Sequence, residues 1–316
     1  MSKLFKYLTL LKQKPSIILP AAKGFILANV LAQPALRGAE LAVTYRCQAS
    51  CYKCSTRTLI EEGRTEMSAE EIVSVSRQVV RAGGILIDLT GGEPLLRDDI
   101  VTIVEQLQHM PVIVSMATNG YLLNDSLLKS LKKAGLNVIQ IGLTSPIAAE
   151  HDQELGIAGS FDKVMWAIQQ ARSLGIEVLI NTVITRDILY SDRMEQLATI
   201  ARENRSYLSL IMPAQVGGWH DNSNIKLDFR DYELIKKWLN EKFTTTDTES
   251  CYRRGICPAG TEKVYISAYG DLYPCPFIQQ KIGNLLENDF VALWKAMRSH
   301  HYGSCVHVKR NEFQKI

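Results

Sequence analysis

The sequence predicts a parallel α/β fold from residue 40 to about residue 212. Apolar, strand-like segments alternate with amphipathic helical segments through this region, which is typical of a parallel sheet with helical crossovers. Ser68 and Glu71 form a capping-box signature at the start of the first helical segment. Glycines follow three helical segments, at Gly83, Gly135 and Gly175, where a left-handed C-cap is favoured.

The predicted elements follow one another as strand–helix pairs. The strands cover residues 40–44, 85–90, 112–117, 138–143, 177–183 and 207–212. The helices after the first five strands cover residues 68–82, 98–108, 125–134, 161–174 and 192–203. A further helix at about 232–242 leads into a polar, threonine-rich stretch at 244–250, which we interpret as a linker and domain boundary.

The composition is that of an ordinary globular protein. The chain has 316 residues, 46% of them hydrophobic and 22% charged, which is enough for one large domain or one large and one small domain. Its formal net charge of +3 is too small to predict a nucleic-acid partner, and we expect none. Seven cysteines do not suit a disulfide framework. Clustered thiols without an export signal indicate metal binding in a reducing cytoplasm.

Cys47, Cys51 and Cys54 form a C-x3-C-x2-C loop directly after the first predicted strand. Iron–sulfur clusters usually take four cysteines, so three thiolates would hold three irons of a cubane and leave the fourth iron open to a substrate or cofactor. Structural zinc is the alternative, but it takes four tetrahedral ligands. The nearest downstream histidine is His109, on a predicted helix, so the sequence favours the cluster.

The C-x3-C-x2-C loop resembles the signature of the radical S-adenosylmethionine (radical SAM) enzymes. The resemblance implies a partial (β/α)6 barrel built from the six predicted strands, with a [4Fe-4S] cluster on Cys47, Cys51 and Cys54. In this family the open iron binds the methionyl amine and carboxylate of SAM. Reductive cleavage then yields a 5′-deoxyadenosyl radical that takes a hydrogen atom from the substrate. The reduction implies a partner such as flavodoxin or ferredoxin.

Further motifs lie at the carboxyl ends of predicted strands, where parallel α/β sheets bind ligands. The resemblance implies that the glycine turn at 91–94 meets the methionyl amine of SAM and that the turn at 118–120 lies beside the ribose. It places positions after the fourth strand and at the end of the fifth in the same pocket. The residues assigned to SAM in this way are Gly91, Gly92, Glu93, Thr118, Asn119, Ser145 and Asn181.

The residues after the sixth predicted strand, and one histidine, are also candidates for specific roles. Gly217 and Gly218 follow the sixth strand, where the resemblance implies a backbone turn near the adenine. Trp219 and His220 are candidate substrate contacts. His151, which we place at the opening of a loop, is expected to be a hydrogen-bonded structural residue and not a catalytic one.

The last four cysteines predict a second metal site. A GDLYPC hairpin with a C-x5-C pair before it resembles the SPASM and twitch extensions of radical SAM enzymes, which hold auxiliary [4Fe-4S] clusters. Twitch is the better match, because no cysteine follows Cys305. A zinc ribbon is the alternative, but its paired C-x2-C knuckles are absent. The predicted ligands are Cys251, Cys257, Cys275 and Cys305, with His300, His301 and His307 as substitutes for Cys251 or Cys305.

The first 39 residues carry six basic residues and no acidic one. Their apolar runs are too short to span a bilayer, which takes about 20 residues, and are interrupted by charge too often for a signal peptide. Two interpretations remain open. These residues cover the bottom or open side of the barrel, or they lie on a membrane surface, which would place the chain at the cytoplasmic face of the inner membrane.

We therefore predict a helical extension (1–39), a radical SAM partial barrel (40–243) and a small α+β twitch/SPASM-like domain (244–316). The expected activity is hydrogen-atom abstraction from a small molecule, a lipid headgroup or a peptide, assisted by the auxiliary cluster. Two alternatives are a peptide maturase that works with a separate leader-binding partner and a non-catalytic iron–sulfur protein that only relays electrons. An RNA-modifying enzyme would need a basic patch with aromatics, and the basic residues after position 39 are dispersed.

Overall fold

The computed structural model describes residues 10–246, Tyr252 and residues 257–299. Its strands are β1 (Gly38–Thr44), β2 (Leu86–Gly91), β3 (Ile113–Thr118), β4 (Val138–Gly142), β5 (Glu177–Val183), β6 (Tyr207–Ile211), β7 (Thr244–Thr245), β8 (Lys263–Ile266), β9 (Asp271–Tyr273) and β10 (Gly283–Asn284). They form one ten-stranded sheet in the order β10-β9-β8-β1-β2-β3-β4-β5-β6-β7. Strands β1 to β6 are parallel and lie in chain order, as a partial barrel requires.

One helix precedes the first strand, and most of the others connect successive strands and pack on the outer side of the sheet. The helices are α1 (Ile18–Asn29), α2 (Ala69–Arg81), α3 (Ile100–Gln108), α4 (Asp125–Lys133), α5 (Ala148–Leu155), α6 (Ser160–Ser173), α7 (Arg186–Leu189), α8 (Arg193–Glu203), α9 (Phe229–Leu239) and α10 (Phe290–Ser299). The six predicted strands and the helices between them are confirmed. The short helices α5 and α7 were not predicted, and His151 lies within α5 instead of opening a loop.

Local chemistry explains where the helices begin and end. The Glu71 amide donates to Ser68 Oγ at 3.2 Å and the Ser68 amide donates to Glu71 Oε2 at 2.8 Å, so the predicted capping box is present. Gly83, Gly135 and Gly175 have φ values of 105°, 98° and 71°, which a residue with a side chain adopts only at a steric cost. These glycines let the chain turn from helix to strand.

The C-terminal hairpin extends the barrel sheet. Strand β8 pairs with β1 in parallel, and β9 pairs with β8 in an antiparallel hairpin, as the GDLYPC motif predicted. Asp271, which is fully buried, accepts hydrogen bonds from Arg64 Nη1 at 2.5 Å and forms an ion pair with Lys281 Nζ at 2.7 Å. The hairpin is thereby tied to the loop that follows the first cysteines.

The predicted linker is not entirely irregular. Thr244 and Thr245, its first two residues, form β7 and pair with β6, because the helix before them returns the chain to the edge of the sheet. The prediction of a linker is therefore wrong for these two residues. The domain boundary at 243/244 stays a prediction.

Residues 10–17 lie against the lower end of the barrel. Ile17 is 4% exposed and packs against Ile113 and Val138, the first residues of β3 and β4. Lys14 Nζ donates to the carbonyl oxygen of Gln108, at the end of α3. For Lys14 and Ile17 these contacts agree with the first of the two interpretations, whereas the helix that follows keeps an exposed apolar side to which the second can apply.

Candidate functional site: cysteine loop, glycine turn and barrel interior

The cysteine loop begins directly after β1, and backbone contacts hold it in place. The Tyr45 amide donates to Glu66 Oε1 at 2.6 Å, and the Ser50 amide donates to the Leu155 carbonyl oxygen at 2.9 Å. Cys47 is exposed and Cys51 and Cys54 are half-buried, all with free thiols. The loop therefore offers three thiol ligands that an incoming cluster can reach.

The three thiols lie close enough to affect one another electrostatically. Burial raises the pKa of Cys51 to about 11, with smaller contributions from the negative charges that Cys54 and Cys47 would carry. Burial also raises the pKa of Cys47. Within residues 10–246, 252 and 257–299, no three His, Cys, Asp or Glu side chains already converge on one point. The loop thus fits a cluster in donor type and spacing, and binding it requires the thiols to lose their protons.

The glycine turn after β2 lies directly against the cysteine loop. The Gly92 amide donates to the Thr44 carbonyl oxygen at 2.7 Å, and the Glu93 amide donates to that of Arg46 at 2.8 Å. Gly91 has a φ of 135°, and a Cβ atom at this position would overlap the Thr44 oxygen. A side chain at Gly92 would overlap the Arg46 oxygen in the same way. Both glycines are required by the close approach of two backbones, which brings the predicted SAM turn beside the predicted cluster ligands.

Glu93 connects this turn to the next strand. Its carboxylate is fully buried and accepts hydrogen bonds from Thr118 Oγ1 at 2.7 Å, the Asn119 amide at 2.8 Å and the Leu95 amide at 3.1 Å. Burial raises the pKa of this carboxyl group, while the three donors act in the opposite direction. Since a carboxylate has about four acceptor sites, one remains for a ligand. Glu93 therefore fixes the position of the turn at 118–120.

An unpaired donor and an unpaired acceptor lie next to Cys47. Gln48 Nε2 donates to Asn119 Oδ1 at 3.1 Å, which orients both amides. The remaining amide atoms, Gln48 Oε1 and Asn119 Nδ2, are buried and have no hydrogen-bond partner. Buried polar atoms rarely stay unpaired, so this pair suits a ligand with donor and acceptor groups, as SAM has. Sequence reasoning missed Gln48, which is identifiable only through its contact with Asn119.

Ser145 and Asn181 make contacts of their own. Ser145 Oγ donates to Glu150 Oε2 at 2.6 Å, and the same carboxylate forms an ion pair with Arg193. Asn181 Nδ2 donates to Gln140 Oε1 at 3.0 Å, which leaves its buried Oδ1 without a partner. Asn181 thus keeps an acceptor for a ligand, whereas the Ser145 hydroxyl donates within the protein. The SAM-binding roles of both residues stay predictions.

A layer of polar side chains lies inside the barrel, on the face of the strands opposite the helices. Gln140 Nε2 donates to Asp88 Oδ2 at 2.8 Å and to Ser115 Oγ at 3.0 Å. Asp88 in β2 lies opposite Glu40 in β1, and the Glu40 carboxylate forms an ion pair with Lys263 Nζ at 3.0 Å. Asp88 Oδ1 is buried without a partner. Burial, reinforced by the negative charge of Glu40, raises the pKa of Asp88 to about 7.

Sequence reasoning missed this polar layer as well. The signal was available, because polar residues interrupt several largely apolar strands. Their convergence depends on strand register, which the sequence does not reveal.

The turn after β6 packs on the cysteine loop. The Gly218 amide donates to the Cys54 carbonyl oxygen at 2.9 Å, and side chains at Gly217 and Gly218 would overlap the loop backbone. The Trp219 ring meets Tyr52 edge-on at 6.2 Å and borders a cavity of about 260 Å³. The substrate contacts of Trp219 and His220 stay predictions, and the His220 side chain is 69% exposed and pairs with Asp221.

His151 is buried and hydrogen-bonded through Nδ1, as expected, while its Nε2 is buried without a hydrogen-bond partner. It is fully buried, and its Nδ1 accepts a hydrogen bond from the Thr144 amide at 3.2 Å. Burial lowers the pKa of His151 to about 4, so the ring is neutral at pH 7.

The predicted auxiliary site is only partly within the described residues. Cys275 follows β9, and burial raises the pKa of its thiol to about 12, with a smaller contribution from nearby Cys257, which is exposed. Cys251 and Cys305, and the alternative ligands His300, His301 and His307, lie outside the described residues. The ligand set of this site stays a prediction.

A buried cluster of tyrosines lies close in sequence to both groups of cysteines. The hydroxyl groups of Tyr45 and Tyr265 are hydrogen-bonded at 2.9 Å, and the rings of Tyr269 and Tyr273 pack beside them. Tyr45 precedes Cys47 by two residues, and Tyr273 precedes Cys275 by two. Residues next to both predicted sites therefore belong to one buried aromatic cluster.

Sequence models of two known families match this chain. The sequence model of the radical SAM superfamily matches residues 41–201, and that of SPASM, an iron–sulfur cluster-binding domain, matches residues 257–314. An AdoMet-dependent heme synthase of Nitratidesulfovibrio vulgaris is 26% identical over 82% of this chain and 78% of its own length. A probable GTP 3′,8-cyclase of Pyrococcus abyssi is 31% identical over 68% of both chains.

The fold has a close counterpart among solved structures. Streptococcus suis SuiB bound to precursor peptide SuiA superimposes with a TM-score of 0.67 at 18% identity, over 87% of this chain and 69% of SuiB. The barrel with its C-terminal extension is thus a known arrangement. Its relatives are enzymes, and the two domains imply bound SAM and [4Fe-4S] clusters. The chain belongs to the radical SAM superfamily and carries an iron–sulfur SPASM domain.

Proposed function

We propose that this chain removes a hydrogen atom from an unactivated carbon of its substrate in a SAM-dependent reaction. The observation that carries the proposal is the unpaired amide pair of Gln48 and Asn119 beside Cys47, held in place by buried Glu93. A cluster bound together with SAM would supply a low-potential electron and, from it, a carbon-centred radical. The protein residues bind, orient and shield these groups.

Each predicted site residue has a specific task in this proposal. Cys47, Cys51 and Cys54 would hold the cluster through three irons. Gly91 and Gly92 let a ligand approach the backbone closely. Glu93 positions the turn at 118–120 and keeps one acceptor site for the methionyl amine. The remaining residues assigned to the SAM pocket are Thr118, Asn119, Ser145 and Asn181.

The similar proteins do not identify the substrate. Their names point to heme, GTP and a precursor peptide, three unrelated classes. The interior of this barrel is more informative, because a buried oxygen outside the residues assigned to SAM, Asp88 Oδ1, lacks a donor. We therefore propose a substrate that presents hydroxyl or amine groups to this layer. A peptide that carries such groups, delivered by a separate leader-binding partner, is the second candidate, and the likeness to SuiB favours it.

The proposed partners follow from the two clusters. The auxiliary cluster, on Cys251, Cys257, Cys275 and Cys305, would accept or pass on an electron from the product radical. A small reductant such as flavodoxin or ferredoxin would reduce the SAM-binding cluster. Cys47, Cys51, Cys54 and Cys275 are free thiols, which supports work in a reducing compartment such as the cytoplasm.

The first test is anaerobic reconstitution followed by iron and 5′-deoxyadenosine measurements. Two clusters predict about eight irons per chain in the wild type and about four in a Cys47→Ala/Cys51→Ala/Cys54→Ala variant. With SAM and dithionite, the wild type should form 5′-deoxyadenosine and the variant should not. An electron-relay protein would contain the irons but form no 5′-deoxyadenosine in either case, which would reject the proposal.

A further inference from the structure

Helix α1 exposes an apolar face. Gly24 and Ala28 are buried against the protein, whereas Leu19 is 79% exposed and Val30, at the helix end, is 69% exposed. Positions three and four apart share a helix face, so the exposed apolar residues form one patch. We call it the α1 face, and its members are Ile18, Leu19, Phe25, Ile26 and Val30.

This pattern reverses the usual order of a surface helix. A helix on a globular protein turns its apolar side inward and its polar side to water. In α1 the inward side is lined by small residues, and the solvent side carries the large apolar ones. Contiguous exposed apolar patches mark interaction surfaces.

Charge indicates the kind of partner. The first 39 residues contain Lys3, Lys6, Lys12, Lys14, Lys23 and Arg37 and no acidic residue. Lys12 and Lys23 are exposed, and Lys23 lies in α1 itself. A surface of anionic phospholipids offers both the negative charge and the apolar depth that such a helix requires. Within the described parts of the chain, no helix is long and apolar enough to cross a bilayer.

We propose that the α1 face lies in the headgroup region of an anionic membrane and anchors the protein there peripherally. The contacts of Ile17 with the first residues of β3 and β4 put this segment at the amino-terminal ends of the strands. The glycine turns lie at the carboxyl ends. In this orientation, which depends on the site proposed above, the active site faces the aqueous side, and the substrate arrives from water instead of from the bilayer.

Vesicle co-sedimentation of the full-length, anaerobically reconstituted protein tests the anchor. The probes are vesicles of phosphatidylcholine alone and of phosphatidylcholine with 30% phosphatidylglycerol, at low and high salt. The test variant is Leu19→Gln/Phe25→Gln/Val30→Gln. A matched control, Phe229→Gln/Leu286→Gln/Val291→Gln, removes three other exposed apolar side chains, which are 71%, 46% and 51% exposed.

We expect the wild type and the control to bind the anionic vesicles, more weakly at high salt, and the α1 variant to lose binding at least tenfold. Formation of 5′-deoxyadenosine should be equal in all three proteins, so that a failure of the proposed chemistry is seen separately. Absence of wild-type binding would overturn the anchor. So would concentration-dependent dimerisation that the α1 variant abolishes, since the face would then be an interface between copies.

Hydrogen–deuterium exchange tests the orientation. Anionic vesicles should slow exchange in a peptide that covers residues 18–31 and leave the cysteine loop at 45–60 unchanged. Protection of the cysteine loop instead would mean that the active site faces the bilayer.

Discussion

Replacement of Glu93 tests whether this buried carboxylate builds the SAM site by holding two turns together. In Glu93→Ala, the Asn119 and Leu95 amides and the Thr118 hydroxyl lose their acceptor. Each buried donor left unpaired costs about 1–3 kcal/mol. Since the hydroxyl can rotate to another acceptor, we count the two amides and expect the free energy of unfolding to fall by about 2–6 kcal/mol.

Glu93→Gln is the conservative comparison. Its amide oxygen can still accept from Thr118 and Leu95, but its NH2 group would face the Asn119 amide, donor against donor. Replacing the carboxylate also removes the cost of burying it, which is the cause of its raised pKa. We therefore expect a smaller loss, about 1–2 kcal/mol.

The measurements are urea unfolding of the apoprotein and equilibrium dialysis of SAM against the reconstituted protein. Affinity for SAM should fall in the same order as stability, with Ala worse than Gln. Glu105→Gln, at an exposed position of α3, is the control and should change neither quantity. A Glu93→Ala protein that keeps wild-type stability within 1 kcal/mol would refute the reasoning, because the three hydrogen bonds would then contribute nothing.

Three further predictions concern other parts of the site. Asp88→Asn should remove a pH dependence of the free energy of unfolding. The pKa of Asp88 is raised to about 7 in the folded state. The stability that this group contributes is therefore present below about pH 4 and is lost as the pH rises to about 7. Urea midpoints should therefore fall between pH 5 and pH 8 more steeply in the wild type than in the variant, and equal slopes would contradict the raised pKa. Gly91→Ala should abolish SAM binding, because the new Cβ would overlap the Thr44 oxygen; Gly63→Ala, also at positive φ but in open space, should retain it in the same dialysis assay. Asp271→Ala should release Arg64 and Lys281 and lower the iron content from about eight towards four per chain, with 5′-deoxyadenosine still formed. Unchanged iron would show that the hairpin anchor is not needed for the auxiliary cluster.

Much of the architecture could be predicted from local sequence patterns. The alternation of apolar strands and capped helices gave the six parallel strands, because backbone hydrogen bonding and burial impose those periods on any chain. The capping box at Ser68 and the glycines with positive φ could also be predicted, because each depends on residues close together in the sequence. The spacing of Cys47, Cys51 and Cys54 is also a local feature, because the three residues lie within eight positions of one another.

The features that the sequence did not predict all depend on contacts between residues that are far apart in the chain. Thr244 and Thr245 look like a linker, and their pairing with β6 depends on where the preceding helix returns the chain. The role of Glu93 as the link to Thr118 and Asn119, and the unpaired amide of Gln48, arise from side chains that meet across strands.

The sequence by itself determined the superfamily and the barrel strands, and it predicts the first three cluster ligands, because those features depend on spacing along the chain. Tertiary structure decided the rest: the convergence of Asp88, Gln140 and Asn181 inside the barrel, the packing of four buried tyrosines against one another, and the outward direction of the α1 face. These features depend on strand register and helix rotation. Both are set by the sum of many distant contacts, which no short stretch of sequence contains.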